Sequence, residues 1–356
     1  MRRFNTKFCV SLTVSIVILG VAMAVAWVIN YDRSMLHLLE TAQTAHSQGD
    51  SRLALDNYRK YLLQKPEDSQ RVCEAAVLAA EFIKKDKVTR QELIDAIKLM
   101  NSALVHSADR NDIRRELIDF HVSFRDFHRA GKLIAEFEQY ENLSPELEFI
   151  DAKCASQSGA EVRAMDRLSR LIGYSDTSQQ FDVSEAVAPQ MVDAYKLLAD
   201  IHWQRGDVVS KRFADAVMDQ MVLANPDSAE VFLLQGRYLL ARTGGIASNR
   251  SEQLKIARQH LNSALELDPE NHEAMLELAT VAMEVSDFAK ARDILKNARQ
   301  QAPEDPNVYV KQAQLAEYQG DSKVRMVRLQ EGLEVLPDNS LLLSMLLDTQ
   351  QAHGMP

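Results

Sequence analysis

The chain has 356 residues, enough for a large soluble core plus an appendage, and its 12 glycines and 9 prolines are few beside abundant Ala, Leu and charged residues. That balance favours helices, since Ala and Leu lose little on entering one and Gly and Pro lose most, and sparse aromatics argue against a large sheet. The formal charge is -10; residues 1–30 hold Arg2, Arg3 and Lys7 but no acid, so the rest is more acidic still and a poor partner for nucleic acid.

The first element is an apolar run. Phe8 to Ile29, FCVSLTVSIVILGVAMAVAWVI, carries no charge. At ~1.5 Å per residue it spans the ~30 Å hydrocarbon core as a helix, which satisfies its own backbone there. Residues 8–30 are therefore read as a transmembrane signal anchor behind a basic cytoplasmic N-terminus, 1–7. The positive-inside bias then places the body across the membrane, in the periplasm if the cell is bacterial. The competing reading is a signal peptide cleaved after Ala22-Met23-Ala24 or Ala24-Val25-Ala26. The run continues through Trp27-Val28-Ile29, which favours the uncleaved anchor, and both readings export the body.

Beyond it the pattern repeats. Residues 35–68 carry Ala42, a Gly49-Asp50 turn, then Ala54, Tyr58, Leu62 and Pro66, the offsets on which the resemblance given below rests. Residues 69–110 form a unit with a longer turn, Lys84 to Thr89. Residues 111–144 carry Ile118, Phe127, Ala130, Ile134 and Phe137; residues 145–178 carry Ala152, Gly159, Ala164, Leu168 and Leu171. These make an N-terminal lobe, 31–178, clear at 35–68 and degenerate over 69–178. The polar stretch Gly173 to Pro189 follows, and 179–191 is read as a linker between two lobes.

The C-terminal lobe, 192–339, is more regular. Residues 192–228 have Ala199, Gly206-Asp207 and Pro226, whereas 229–271 have Gly236, Ala257 and Ala264 with TGGIASNRS inserted between the helices. Residues 272–305 put small side chains at Ala279, Ala291 and Ala298, and 306–339 do so at Ala313 and Gly332, where antiparallel helices must approach closely. Pro269, Pro303 and Pro337 stand 34 residues apart. Residues 340–356 read as a capping helix and tail.

These units resemble the tetratricopeptide repeat. The resemblance implies an all-α fold, an α-solenoid of about eight helical hairpins stacked into one core and preceded by the transmembrane helix. It also implies that first helices line a concave face that receives a peptide or protein segment. On that pattern Lys196, Asp200, Trp203, Leu233, Arg237, Leu276, Thr280, Val310, Gln314 and Tyr318 point into the groove, giving apolar anchors among polar groups. Trp203, Leu233 and Val310 also suit packing between neighbouring repeats, and that alternative stays open. The cochaperone variety, which grips a C-terminal carboxylate with Lys and Asn, is not matched: Leu39, Gln43, Leu276 and Thr280 stand at those places.

Chemistry is hard to find. No phosphate-loop, dinucleotide, zinc-protease or C-x-x-C motif occurs, and Gly244-Gly245 reads as a flexible turn. His121 and His128 are separated by a turn near Arg125-Asp126 and have no ligand at metal spacing. Cys73 and Cys154 sit among alanines and read as small buried hydrophobes, with a bridge between them left open; Cys9 lies in the apolar run. No catalytic residue, metal, cofactor or small-molecule substrate is expected. The expectation is a membrane-tethered scaffold or adaptor for envelope protein assembly or export, a layout similar to bacterial translocon-associated chaperones and assembly factors. The alternative is a non-catalytic accessory subunit of a membrane enzyme complex of glycan or cell-wall synthesis. Self-association is left open.

Overall fold

The computed structural model describes residues 6–352 except 86, 176 and 243–249, with the backbone alone for 6–17. Nearly all of the described chain is helical, and it divides into two compact units, Met1–Ala160 and Glu161–Pro356.

The first unit is built from α1 (Thr6–Ser47), α2 (Ser51–Gln64), α3 (Ser69–Lys85), α4 (Arg90–His106), α5 (Asn111–Ser123), α6 (Phe127–Phe137) and α7 (Pro145–Gln157). α1 pairs with α2, α3 with α4 and α5 with α6, each pair packing on the next. The turns inside the first and third of these pairs share one device. At Gly49-Asp50 the glycine takes φ 81° and the aspartate side chain caps α2 by accepting from the Leu53 N–H at 2.9 Å. Arg125-Asp126 does the same without glycine, at φ 58°. Apolar side chains then meet in layers: Ala42, Ala54, Ala75 and Ala79 are wholly buried around Tyr58 and Phe82. Cys73 and Cys154 are both buried in such layers, and no disulfide joins them.

α1 departs from the expected boundary. The apolar run and the first helix of residues 35–68 are one continuous helix of 42 residues, because neither glycine nor proline occurs between Gly20 and Gly49. Its described apolar side chains stand in the open, from Ile18 through Trp27 to Ile29, and Met35 is the first buried one. Among the described residues no helix is long and apolar enough to cross a membrane. The side chains of residues 8–17 of the expected anchor, and residues 1–5 of the basic terminus altogether, lie outside the described set.

The second unit begins with α8 (Glu161–Ile172) and a short hairpin of β1 (Tyr174–Ser175) and β2 (Gln180–Phe181), antiparallel with Tyr174 opposite Phe181. The segment expected as a linker, 179–191, is instead folded against α8. The cause is aromatic: the Tyr174 ring lies 4.5 Å from Phe213 and 5.0 Å from Phe181, and Ala188 is buried with its N–H donating to the Leu171 carbonyl at 3.0 Å. Gly173 makes the entry, at φ 73°, where a Cβ would collide with the Asp182 carbonyl. The division between units falls before this segment.

Four hairpins and a cap complete the unit: α9 (Val192–Arg205) with α10 (Val208–Ala224), α11 (Ala229–Arg242) with α12 (Arg250–Leu267), α13 (His272–Glu284) with α14 (Phe288–Gln301), α15 (Pro306–Tyr318) with α16 (Ser322–Val335), then α17 (Ser340–Ala352). The insertion at 243–249, including Gly244-Gly245, lies outside the described residues. Small residues permit the close crossings: a Cβ on Gly236 would stand 2.7 Å from Leu261 of the paired helix. The first helices α11, α13 and α15 also pack on one another in a row.

Candidate functional site

The row of first helices is where the sequence places a binding groove, and in the second unit most of that face is already engaged. Leu233 and Leu276 are corrected to core: they are 5 % and 4 % exposed, Leu233 among Ala257, Leu261 and Leu278, Leu276 among Leu295, Val308 and Ala313. Val310 is half-buried against the second of these clusters. Their positions face the crossing between successive first helices, so closing the stack covers them.

The polar residues form a ladder instead of an open rim. Arg237 of α11 reaches Glu273 at 3.2 Å and Glu277 at 3.1 Å, both on α13. Lys311 of α15 lies 3.8 Å from the same Glu277 and donates to Thr280 Oγ1 at 2.6 Å. The Tyr318 hydroxyl donates to Glu284 at 2.7 Å. Gln314 is half-buried beside them.

Trp203 is likewise covered by the chain itself. Arg242 stands 4.7 Å and Lys211 5.0 Å from its ring centroid, and Tyr238 meets it edge-on at 6.2 Å. Asp215 of α10 ties the cluster together, accepting from Arg242 and, at 2.7 Å, from the Tyr238 hydroxyl. Lys196 and Asp200 remain exposed. Asp200 is nevertheless held above the usual carboxylate range, because protein atoms around it displace water, and Lys196 only partly opposes this.

The open groove on a first-helix face belongs to the first unit, a place where the sequence assigned no site. It has a volume of about 610 Å³ and runs between α1 and α3 to the start of α5. Gln43 and His46 of α1 form one wall, Gln70, Cys73, Val77 and Glu81 of α3 the floor and far wall, and Ser107 and Arg110 the end. These residues recur three and four apart along α3, so they share one stripe.

Its centre is fixed by Glu74. Arg71 Nη1 donates to both carboxylate oxygens at 2.7 and 2.6 Å, Gln70 Nε2 donates at 3.0 Å and the Tyr58 hydroxyl at 3.2 Å. Burial pushes Glu74 up, but these bonds outweigh it and hold the carboxyl below its ordinary range. Burial, then Glu74, raises the Tyr58 phenol. The groove therefore presents fixed polar groups beside apolar surface (Val77, Leu78), so little order is lost when a segment enters. The signal that could have found it is the helical stripe of Gln70, Cys73 and Val77, masked by the irregular turn of residues 69–110.

Two other expectations meet the structure here. Asp126 caps α6, so a turn does separate His121 from His128; His121 is buried with Nδ1 3.3 Å from Asp126 Oδ2, and burial lowers its pKa. His128 is exposed on the far side of that turn. Among the described residues no group of three or more His, Cys, Asp or Glu stands together as a metal cage would.

Comparison with known proteins agrees with the hairpins. Residues 250–315 match the family model of the tetratricopeptide repeat. No curated protein matches the chain. Among solved structures, the C-terminal part of a TPR repeat-containing protein from Cytophaga hutchinsonii is similar with a TM-score of 0.48 at 15% identity, over 71% of this chain and 94% of that one. The APC/C hetero-tetramer Cut9-Hcn1 gives 0.43 at 13% identity, over 88% of this chain and 55% of that one. PilW, a widely conserved type IV pilus biogenesis factor, gives 0.42 at 16% identity, over 60% and 88%. Residues 250–315 thus match the tetratricopeptide repeat by sequence, and helical hairpins stand on either side of them.

Proposed function

We propose that the protein is a non-catalytic scaffold that holds a protein or peptide segment at a membrane surface, in envelope protein assembly or export. The observation that carries this is the open groove on the first-helix face of the first unit, with its fixed carboxylate, amides and apolar floor. Such a surface suits an extended or helical segment, which brings its own backbone donors and spaced side chains. The exposed apolar side chains from Ile18 to Ile29, continuing the uncharged run from Phe8, support tethering by α1. Arg2, Arg3 and Lys7 favour a cytoplasmic N-terminus and repeats on the far side.

The tether also bears on the groove. α1 is unbroken from the apolar run to the wall residues Gln43 and His46, so a membrane-held α1 would hold that wall at a fixed distance from the bilayer. Photocrosslinking residues placed at Val77 and Gln43, with Leu63 on the exposed face of α2 as reference, test the reading in intact cells. Capture of a discrete protein from Val77 and Gln43 but not from Leu63 is the expected result. Equal capture at all three positions sinks the groove, and release of the protein from membranes by alkali sinks the tether.

A further inference from the structure

A second cleft lies within the second unit, between α14 and α16 with α15 as its floor, and has a volume of about 530 Å³. Arg292, Lys296 and Arg299 line it from α14 and Arg328 from α16. In a chain of net charge -10 this is a local reversal of sign. Among the described residues the one carboxylate lining it is Asp321, already engaged in capping α16 at the Val324 N–H, 3.0 Å away. Glu331 answers Arg299 at 2.6 Å and Arg328 at 2.9 Å, one acid for two cations. Among the described residues no ion pair reaches Arg292 or Lys296.

The floor is apolar and rigid: Leu295, Leu315 and Ala316 are buried. Gln312 also lines the cleft, and among the described residues its buried Oε1 accepts no hydrogen bond. Arg292, Lys296 and Arg299 recur at i, i+4 and i+7, a stripe ~10 Å long that does not converge on one point.

We propose that this cleft docks an acidic segment of a partner protein. Its carboxylates meet the α14 stripe and Arg328, and an apolar side chain rests on the apolar floor. A stripe of spaced cations matches charges spaced along a chain better than a single phosphate. A flat bilayer would reach the rim and leave the apolar floor unmet. The cleft and the first-helix groove are different surfaces, so this proposal holds whether or not that groove is filled.

The test uses the full chain in detergent micelles and a short labelled peptide of alternating Glu and Ala with a central Leu, read by fluorescence anisotropy. Its Gln-for-Glu counterpart is the control. The Glu peptide should bind, the Gln peptide should not, and added salt should weaken binding. The double variant R292E/K296E should lose at least about tenfold in affinity. R292Q/K296Q, a milder change with the same helical circular dichroism as wild type, should also weaken it. Equal binding of the two peptides, or no effect of either variant, overturns the proposal. So does variant-sensitive binding confined to micelles doped with phosphatidylglycerol, which would make the occupant a lipid surface. A dimer lost in R292E/K296E, with no peptide binding, would make it a second copy and overturn the proposal as well.

Discussion

The cleft between α14 and α16 has a counterpart in the first unit, between α2 and α4 over α3, and the two differ in how their cations are answered. In the first unit the space is about 220 Å³ and is bridged: Arg52 Nε reaches Glu92 at 2.6 Å, and Arg59 Nη2 reaches Asp95 at 3.2 Å. Arg52 also lies over the Phe82 ring at 5.5 Å. Glu92 serves twice, because it is the N3 member of the capping box that Thr89 opens on α4. On α16 the cap is Asp321, which puts Val324 at N3, and Arg328 follows on the same face. One backbone arrangement thus yields a joint closed by internal ion pairs and a cleft whose cations outnumber its acids. The difference lies in which residue follows the helix cap.

The largest expected effect comes from overpacking the helices beside the second cleft. Gly332 of α16 faces α15 so closely that a Cβ would stand 2.8 Å from the Tyr309 ring and 2.9 Å from Leu342. Both neighbours are fully buried and cannot yield cheaply. Gly332→Val should destabilise the α15–α17 end by about 1–3 kcal/mol. In a repeat stack, contacts run between neighbours, so the loss should stay local. Hydrogen exchange should show faster opening of α15 to α17 with α2 to α4 unchanged; equal loss in both would mean that the two clefts are not independent.

A smaller effect should follow from exchanging the N3 residues. Val324→Glu places an acid in the first turn of α16, facing Arg292 and Lys296, as Glu92 faces Arg52. A gain of about 0.3–1 kcal/mol is expected, with loss of acidic-peptide binding. Glu92→Val should do the reverse, weakening α4 and removing the acid that Arg52 Nε meets. Thermal unfolding and the anisotropy assay read both. If Val324→Glu still bound the Glu peptide at wild-type strength, the excess of cations would not be what makes the cleft.

These contrasts explain what the sequence could and could not disclose. The hairpins were legible because proline stops, Gly-Asp turns and small crossing residues are local signals, and each acts through the backbone of its own unit. Ser286 shows the limit: it takes φ 60° in the turn before α14, where the turns at Gly49, Gly206 and Gly320 use glycine. Leu233 and Leu276 were placed on the groove because a helical wheel gives direction but not how far the next helix overlaps it. The β-hairpin at 174–181 was missed because its cause, Phe213, lies a helix away. The two clefts were invisible for the same reason: Arg52–Glu92 spans α2 to α4, and nothing near Arg52 in sequence announces its partner.

The finest test of the comparison is acid. The Arg52 guanidinium, then the Thr89 N–H and hydroxyl, hold Glu92 down at about 2, against an ordinary value of 4.5. Above that ordinary value Glu92 is ionised in both folded and unfolded chains, and the full stabilisation is present. As pH falls from 4.5 toward 2 the unfolded chain takes up the proton first, so the stabilisation drains away; below about 2 it is gone. Glu92→Gln removes that titration and keeps the shape. The difference in melting temperature between wild type and Glu92→Gln should therefore be constant near neutrality and shrink through this window. The second cleft has no such group at N3, and Val324→Glu should create the same acid-sensitive difference there. Parallel melting curves for wild type and Glu92→Gln down to pH 2 would mean that the Arg52–Glu92 bridge does not hold in solution, and the two clefts would then differ in shape alone.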